Sequence, residues 1–136
     1  MVNEIIERLN FVSCRANKNK LYVFGDNLLG KGRAGQAEIR GEPNAFGIPT
    51  KVYPSMKNGS FMSDCPEHEE AVKTRLRELY KLQESYVIVF PSQGLGTGLA
   101  KLEEHAPKIF KMMNEIIVNH FGIDEYKKIY SIRNNQ

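Results

Sequence analysis

Two glycine-rich turns, each placed directly after a short run of strand-forming residues, constrain this chain more than any other feature. The first run, Leu21-Tyr22-Val23-Phe24, passes through Gly25-Asp26-Asn27 into Gly30-Lys31-Gly32-Arg33-Ala34-Gly35-Gln36-Ala37. The second, Tyr86-Val87-Ile88-Val89-Phe90-Pro91, enters Ser92-Gln93-Gly94-Leu95-Gly96-Thr97-Gly98-Leu99. Glycine lets backbone approach a ligand closely and reach positive φ, so that successive N–H groups can converge on an anion. A turn of this kind that opens a helix adds the unpaired N–H groups and partial positive charge of the helix N-terminus. Two of them in one small domain point to a cradle for a ligand with two phosphates.

The rest of the composition narrows the class. A length of 136 residues predicts one domain, 1–136, large enough for a proper core. The 19 basic and 16 acidic residues leave a formal charge of only +3, and the basic ones are scattered. A duplex reader would carry a denser stripe, so no specific nucleic-acid readout is expected. No apolar run approaches the roughly 20 residues that span a bilayer, which predicts no membrane partner. Met1 to Leu9 is an amphipathic stretch of acidic, basic and apolar residues and does not read as a signal peptide. Cys14 and Cys65 fit neither a disulfide framework nor metal spacing. A cytoplasmic, monomeric protein without metal or cofactor is the expectation. Asn58-Gly59-Ser60 matches a glycosylation sequon and is read as a turn.

Periodicity predicts a helix over residues 4–10, a short strand near Phe11 to Cys14, and a turn at residues 17–20. Leu21 to Phe24 suits a buried strand, Gly35 to Arg40 a short helix, and Ala45 to Pro49 is a second apolar run. Residues 51–61 read as loop. Ser63-Asp64-Cys65-Pro66-Glu67 is a helix start, with Val72, Leu76, Leu79 and Tyr80 on one face. Tyr86 to Phe90 is the clearest strand. After the second turn, Ala106, Ile109, Phe110, Met113, Ile116, Ile117 and Phe121 stand at helical spacing. A last strand is expected at Lys128 to Ile132. Strands alternating with helices predict an α/β/α sandwich around a mixed, mostly parallel sheet, with ligands beyond the strands' carboxyl ends. Both glycine turns lie there.

Neither turn is a P-loop, because Gly-x4-Gly-Lys-Ser/Thr is absent. Gly30-x-Gly32-x-x-Gly35 fits the dinucleotide pattern but starts five residues beyond the strand. The segment from Lys51 to Ser55 offers no acidic residue for a ribose.

The order of these motifs resembles the macrodomain family, the ADP-ribose-binding fold. The likeness is greatest to its small single-domain hydrolases, which remove ADP-ribose from carboxylate side chains. Three segments carry it: Val23-Phe24-Gly25-Asp26-Asn27 with Gly32-Arg33-Ala34-Gly35-Gln36-Ala37; Ile48-Pro49-Thr50-Lys51; and Phe90-Pro91 with Gly96-Thr97-Gly98-Leu99-Ala100-Lys101-Leu102. The resemblance extends from about Leu21 to Ile117. It implies that Asn27 bonds the distal ribose, and that Gly32, Arg33, Ala34 and Gly35 face that ribose and the adjoining phosphate. Ser92, Gln93, Gly94, Leu95, Gly96, Thr97, Gly98 and Leu99 would supply N–H donors to the diphosphate. Lys51 would attack or polarise the anomeric carbon. Two departures stand out: Ala100 replaces the aspartate that follows Gly-x-Gly-Leu in that branch, and no aspartate precedes Asp26 to recognise adenine.

Read as chemistry, Asp26 beside Gly25 and Asn27 is a candidate general base or a shaper of its own turn. Lys51 needs a lowered pKa to act as a nucleophile. Arg33 and Gln93 can reach a phosphate or ribose oxygen, or point to water. His68, His105 and His120 read as surface or capping residues. Four functions follow: an ADP-ribosyl hydrolase, a non-catalytic ADP-ribose reader, a phosphatase acting on ADP-ribose 1″-phosphate, and a nucleic-acid-binding α/β domain.

Overall fold

A computed structural model describes residues 2–134, with side chains through Tyr130. The expected unit 1–136 includes Met1, Asn135 and Gln136, which lie outside the described residues. Strands β1 (Glu4–Ile6), β2 (Lys20–Asn27), β3 (Ala45–Lys51) and β4 (Val87–Pro91) form a four-stranded sheet in the order β1-β4-β2-β3. The chain is α/β as expected, and among the described residues every strand pair is parallel, where a mixed, mostly parallel sheet was expected. An isolated antiparallel bridge joins Lys51 to Phe61.

The period-two alternation of strands divides the core. Leu21 and Val23 of β2, Phe46 and Ile48 of β3, and Ile88 and Phe90 of β4 enter one cluster. Helices α2 (Pro66–Leu82) and α4 (Pro107–Phe121) complete it. Tyr22, Phe24 and Val89 enter a second, smaller cluster with Cys14 of helix α1 (Phe11–Ala16) and with Ala37 and Ile39 of a 3-10 turn, Gly35–Ile39.

Helix α2 begins with Pro66 and an acidic first turn, and buries Val72, Leu76 and Leu79. Each such side chain contributes about 1.5–3 kcal/mol by leaving water. Tyr80, expected on that face, is half exposed. Asp64, read as part of the α2 start, instead caps α4: its carboxylate accepts the N–H groups of Lys108 and Ile109 at 3.0 and 2.9 Å. Helix α4 ends at Gly122, whose φ of 73° lets the chain turn away through left-handed backbone.

Three expected elements are different. Residues 4–6 are strand, because Ile5 and Ile6 pair with Phe90 and Pro91 of β4, a long-range gain that local periodicity does not reveal. The strand expected at Phe11 to Cys14 is helix α1, nucleated by Asn10, whose side chain accepts the Ser13 N–H at 2.8 Å. The last expected strand is helix α5 (Lys127–Asn134), entered through a 3-10 turn at Asp124–Tyr126. Tyr126 is fully buried and Ile129 packs on the core, a spacing of three that serves a helix. Among the described residues, no helix is long and apolar enough to cross a membrane.

Candidate functional site

The sheet splits at its carboxyl edge. Strand β4 pairs with β2 only from Lys20↔Val87 to Tyr22↔Val89. Beyond that point β2 follows β3 as far as Asn27↔Lys51, while Phe90 and Pro91 pair with β1. The chain leaves β2 towards β3 on one side, and β4 lies on the other. This is the topological switch point at which open α/β sheets place ligands.

Gln36 fills the split. Its side-chain oxygen accepts the Gly25 N–H at 2.9 Å, and its amide donates to the Gly94 carbonyl at 2.9 Å. A Cβ on Gly25 would lie 3.3 Å from Thr50 Oγ1 and 3.5 Å from Gly96 N, so β2, β3 and the second loop converge there. Gln36 stands inside the first glycine motif, where its place in the sequence suggests no role. A lone polar side chain at a loop–helix junction was the available signal.

In the loop after β4, the N–H groups of Leu95, Gly96, Thr97, Gly98, Leu99 and Ala100 find no acceptor among the described residues. Leu95 and Gly96 are buried, where an unpaired N–H is uncommon. Ser92 and Gly94 do not share this property: their N–H groups donate to Ile6 and Pro91. The continuous run of unpaired N–H groups therefore begins at Leu95, inside the expected segment Ser92 to Leu99. The Gln93 carbonyl accepts the Thr97 hydroxyl at 3.0 Å. The Leu95 side chain lies in the core, whereas Gly98 and Leu99 are exposed. From behind, the Tyr126 hydroxyl donates to the Pro91 carbonyl, and burial raises its pKa far above the ordinary tyrosine value.

The first loop is shaped by its own side chains. Asn27 Oδ1 accepts the Leu29 N–H at 3.1 Å, and its amide donates to the Lys31 carbonyl at 2.7 Å. Asp26 is paired with Arg40 through two hydrogen bonds, one of 3.1 Å, and also accepts the Asn27 N–H at 2.7 Å. The Arg40 guanidinium also donates to the Gly32 carbonyl at 2.7 Å. Asp26 therefore holds a loop together and is not a free base. Gly32, Arg33, Ala34 and Gly35 are exposed, and the Arg33 guanidinium lies beside Gly41. The segments 28–35 and 92–101 contain Lys31, Arg33 and Lys101 and no carboxylate, a balance that attracts anions.

Lys51 ends β3 one residue beyond Thr50. It is 9% exposed, with Nζ 3.3 Å from Met56 Sδ and 5.0 Å from the Phe61 ring centroid. Phe61 stacks on His105 of helix α3 (Leu102–His105), with centroids 4.2 Å apart. Burial lowers the Lys51 pKa below the ordinary lysine value. This is the condition a nucleophilic amine requires. Cys14 is the reverse case: burial and the Glu42 charge push its thiol up to about 11, so it is inert. Among the described residues, no group of three or more His, Cys, Asp or Glu side chains could hold a metal ion.

The model of a family of unknown function, DUF7831, matches residues 4–116, and the chain belongs to that family. No curated protein and no solved structure matches the chain.

Proposed function

We propose that this protein binds ADP-ribose or a close derivative in the crevice between the loops after β2 and β4, and that it releases ADP-ribose from a modified carboxylate. The observation that carries the reading is the run of unpaired N–H groups from Leu95 to Ala100, held against Gly25 at the split in the sheet. Such a run suits a diphosphate. The cationic loops favour the same ligand.

Lys51 is the residue assigned to the chemistry. As the neutral amine, Nζ attacks the anomeric carbon and the acceptor carboxylate leaves with the bonding pair. Water then attacks the anomeric carbon while the nitrogen is still the ammonium; the C–N bond breaks with its electron pair returning to Nζ, and the water's extra proton passes to solvent, giving free ADP-ribose and the neutral amine. Asp26 has no part in this scheme, because Arg40 occupies its carboxylate. Free thiols at Cys14 and Cys65 suit the reducing cytoplasm we assign to it.

A second reading, a reader that binds without turnover, draws on Ala100 and on the engaged Asp26, since neither loop offers a carboxylate to activate water. A peptide carrying ADP-ribose on glutamate separates the two. Release by the wild type and loss of release in Lys51→Ala, with ADP-ribose affinity kept, identifies the hydrolase. Binding without release in the wild type identifies the reader.

A further inference from the structure

A cavity of about 650 Å³ lies between α2 and α4, away from the glycine loops. Both helices return from the carboxyl edge of the sheet, so the groove between their C-terminal halves stands at the strands' amino edge. Asn3 marks that edge: its amide donates to the Phe121 carbonyl and to Gln83 Oε1, and its oxygen accepts the Ile88 N–H.

The groove has a polarity of its own. Leu76, Ile116 and Phe121 form an apolar floor, and Tyr80, half exposed, stands over it with His120 beside its ring. Lys73, Arg77 and Lys81 line one wall at intervals of four residues along α2. Among the described residues, no carboxylate lines it. Lys73 and Arg77 do pair with Glu69 and Glu70 of the same helix, but these pairs are exposed and hold their partners weakly.

We infer that this groove is a docking site for an acidic amphipathic helix of a partner protein. A facing helix shares the rise of α2, about 1.5 Å per residue. Glutamates spaced by four on that helix therefore meet Lys73, Arg77 and Lys81 in register along roughly 12 Å. Its apolar residues at i, i+3 and i+4 enter the floor, the usual mode of helix-in-groove recognition. A nucleic-acid backbone would match the cations and leave the exposed part of Ile116 and the Tyr80 ring without an apolar partner. A site of this kind is independent of the nucleotide crevice.

The test is an amide-shift titration of the isotope-labelled full chain with a synthetic helical peptide of about four turns. The peptide bears leucines on one face and glutamates flanking them; a control replaces each glutamate by lysine. The expected result is shift changes confined to α2 and α4, affinity reduced about tenfold or more in Arg77→Glu/Lys81→Glu, and no binding of the control. Both substitutions are at exposed positions, so an unchanged spectrum elsewhere reports the fold. Equal binding of the lysine peptide, shifts outside α2 and α4, or no binding by about millimolar peptide overturns the inference. So does sedimentation as a dimer that buries the groove against a second copy, or binding of single-stranded RNA through the same residues.

Discussion

The side-chain amide of Gln36 donates to the Gly94 carbonyl at 2.9 Å, and this bond fastens the loop after β2 to the loop after β4. The same amide accepts the Gly25 N–H, which strand β4 no longer pairs. Gln36→Leu leaves both backbone groups unpaired, a loss of about 1–3 kcal/mol in stability. It should also weaken ADP-ribose binding about tenfold, because the loops lose their common register. Denaturant titration and calorimetry measure the two effects; stability lost with affinity intact would detach Gln36 from the cradle.

Asp26 and Arg40 should behave as one unit. Asp26→Asn and Arg40→Gln each remove charge-assisted hydrogen bonds worth roughly 1.5–3 kcal/mol. The double variant should be less destabilised than the sum of the two, since the singles break the same interaction. If Asp26 were the general base, Asp26→Asn would stop turnover while Arg40→Gln, assayed well below its melting temperature, would keep it.

Lys51 sets a pH dependence of known sign. Its folded pKa is lowered by burial, so between that value and the ordinary value the unfolded chain binds more protons than the folded one. Stability therefore rises with pH across this window. Below it, the charged form bears the full desolvation penalty. Lys51→Met should melt higher than wild type at neutral pH, and the gap should close as pH approaches the ordinary lysine value. A gap constant with pH would mean that the ammonium is well solvated.

Glycines of the second loop should divide sharply. A Cβ at Gly96 would lie 2.9 Å from Leu102 Cβ and 3.0 Å from Thr50 Cβ, on backbone with φ of 73°. Gly96→Ala should cost at least about 1 kcal/mol for the left-handed backbone alone. Gly98 has nothing within 4 Å of that position and no positive φ, so Gly98→Ala should leave the melting temperature unchanged. Any effect of Gly98→Ala on ligand affinity then reports contact with the ligand.

The legible part of the fold was local. Pro66 with its acidic first turn, the apolar run of β4, and the spacing from Ile109 to Phe121 each declare an element within a few residues. What depended on distant partners stayed hidden. Ile5 and Ile6 suit a helix face until β4 lies beside them. Asp64 caps a helix that begins more than forty residues later. At the site, the glycine spacing marked both loops, but the roles of Gln36 and Arg40 follow from where the sheet splits. The engagement of Asp26 depends on a guanidinium that local spacing does not bring to it.

Calorimetric titration of the intact chain with ADP-ribose, set against AMP, NAD and ribose 5-phosphate, decides whether the two loops form a diphosphate cradle. The two-loop cradle predicts a dissociation constant of about micromolar for ADP-ribose and at least roughly tenfold weaker binding of AMP and ribose 5-phosphate. No heat of binding with ADP-ribose, or equal affinity for AMP, would contradict it.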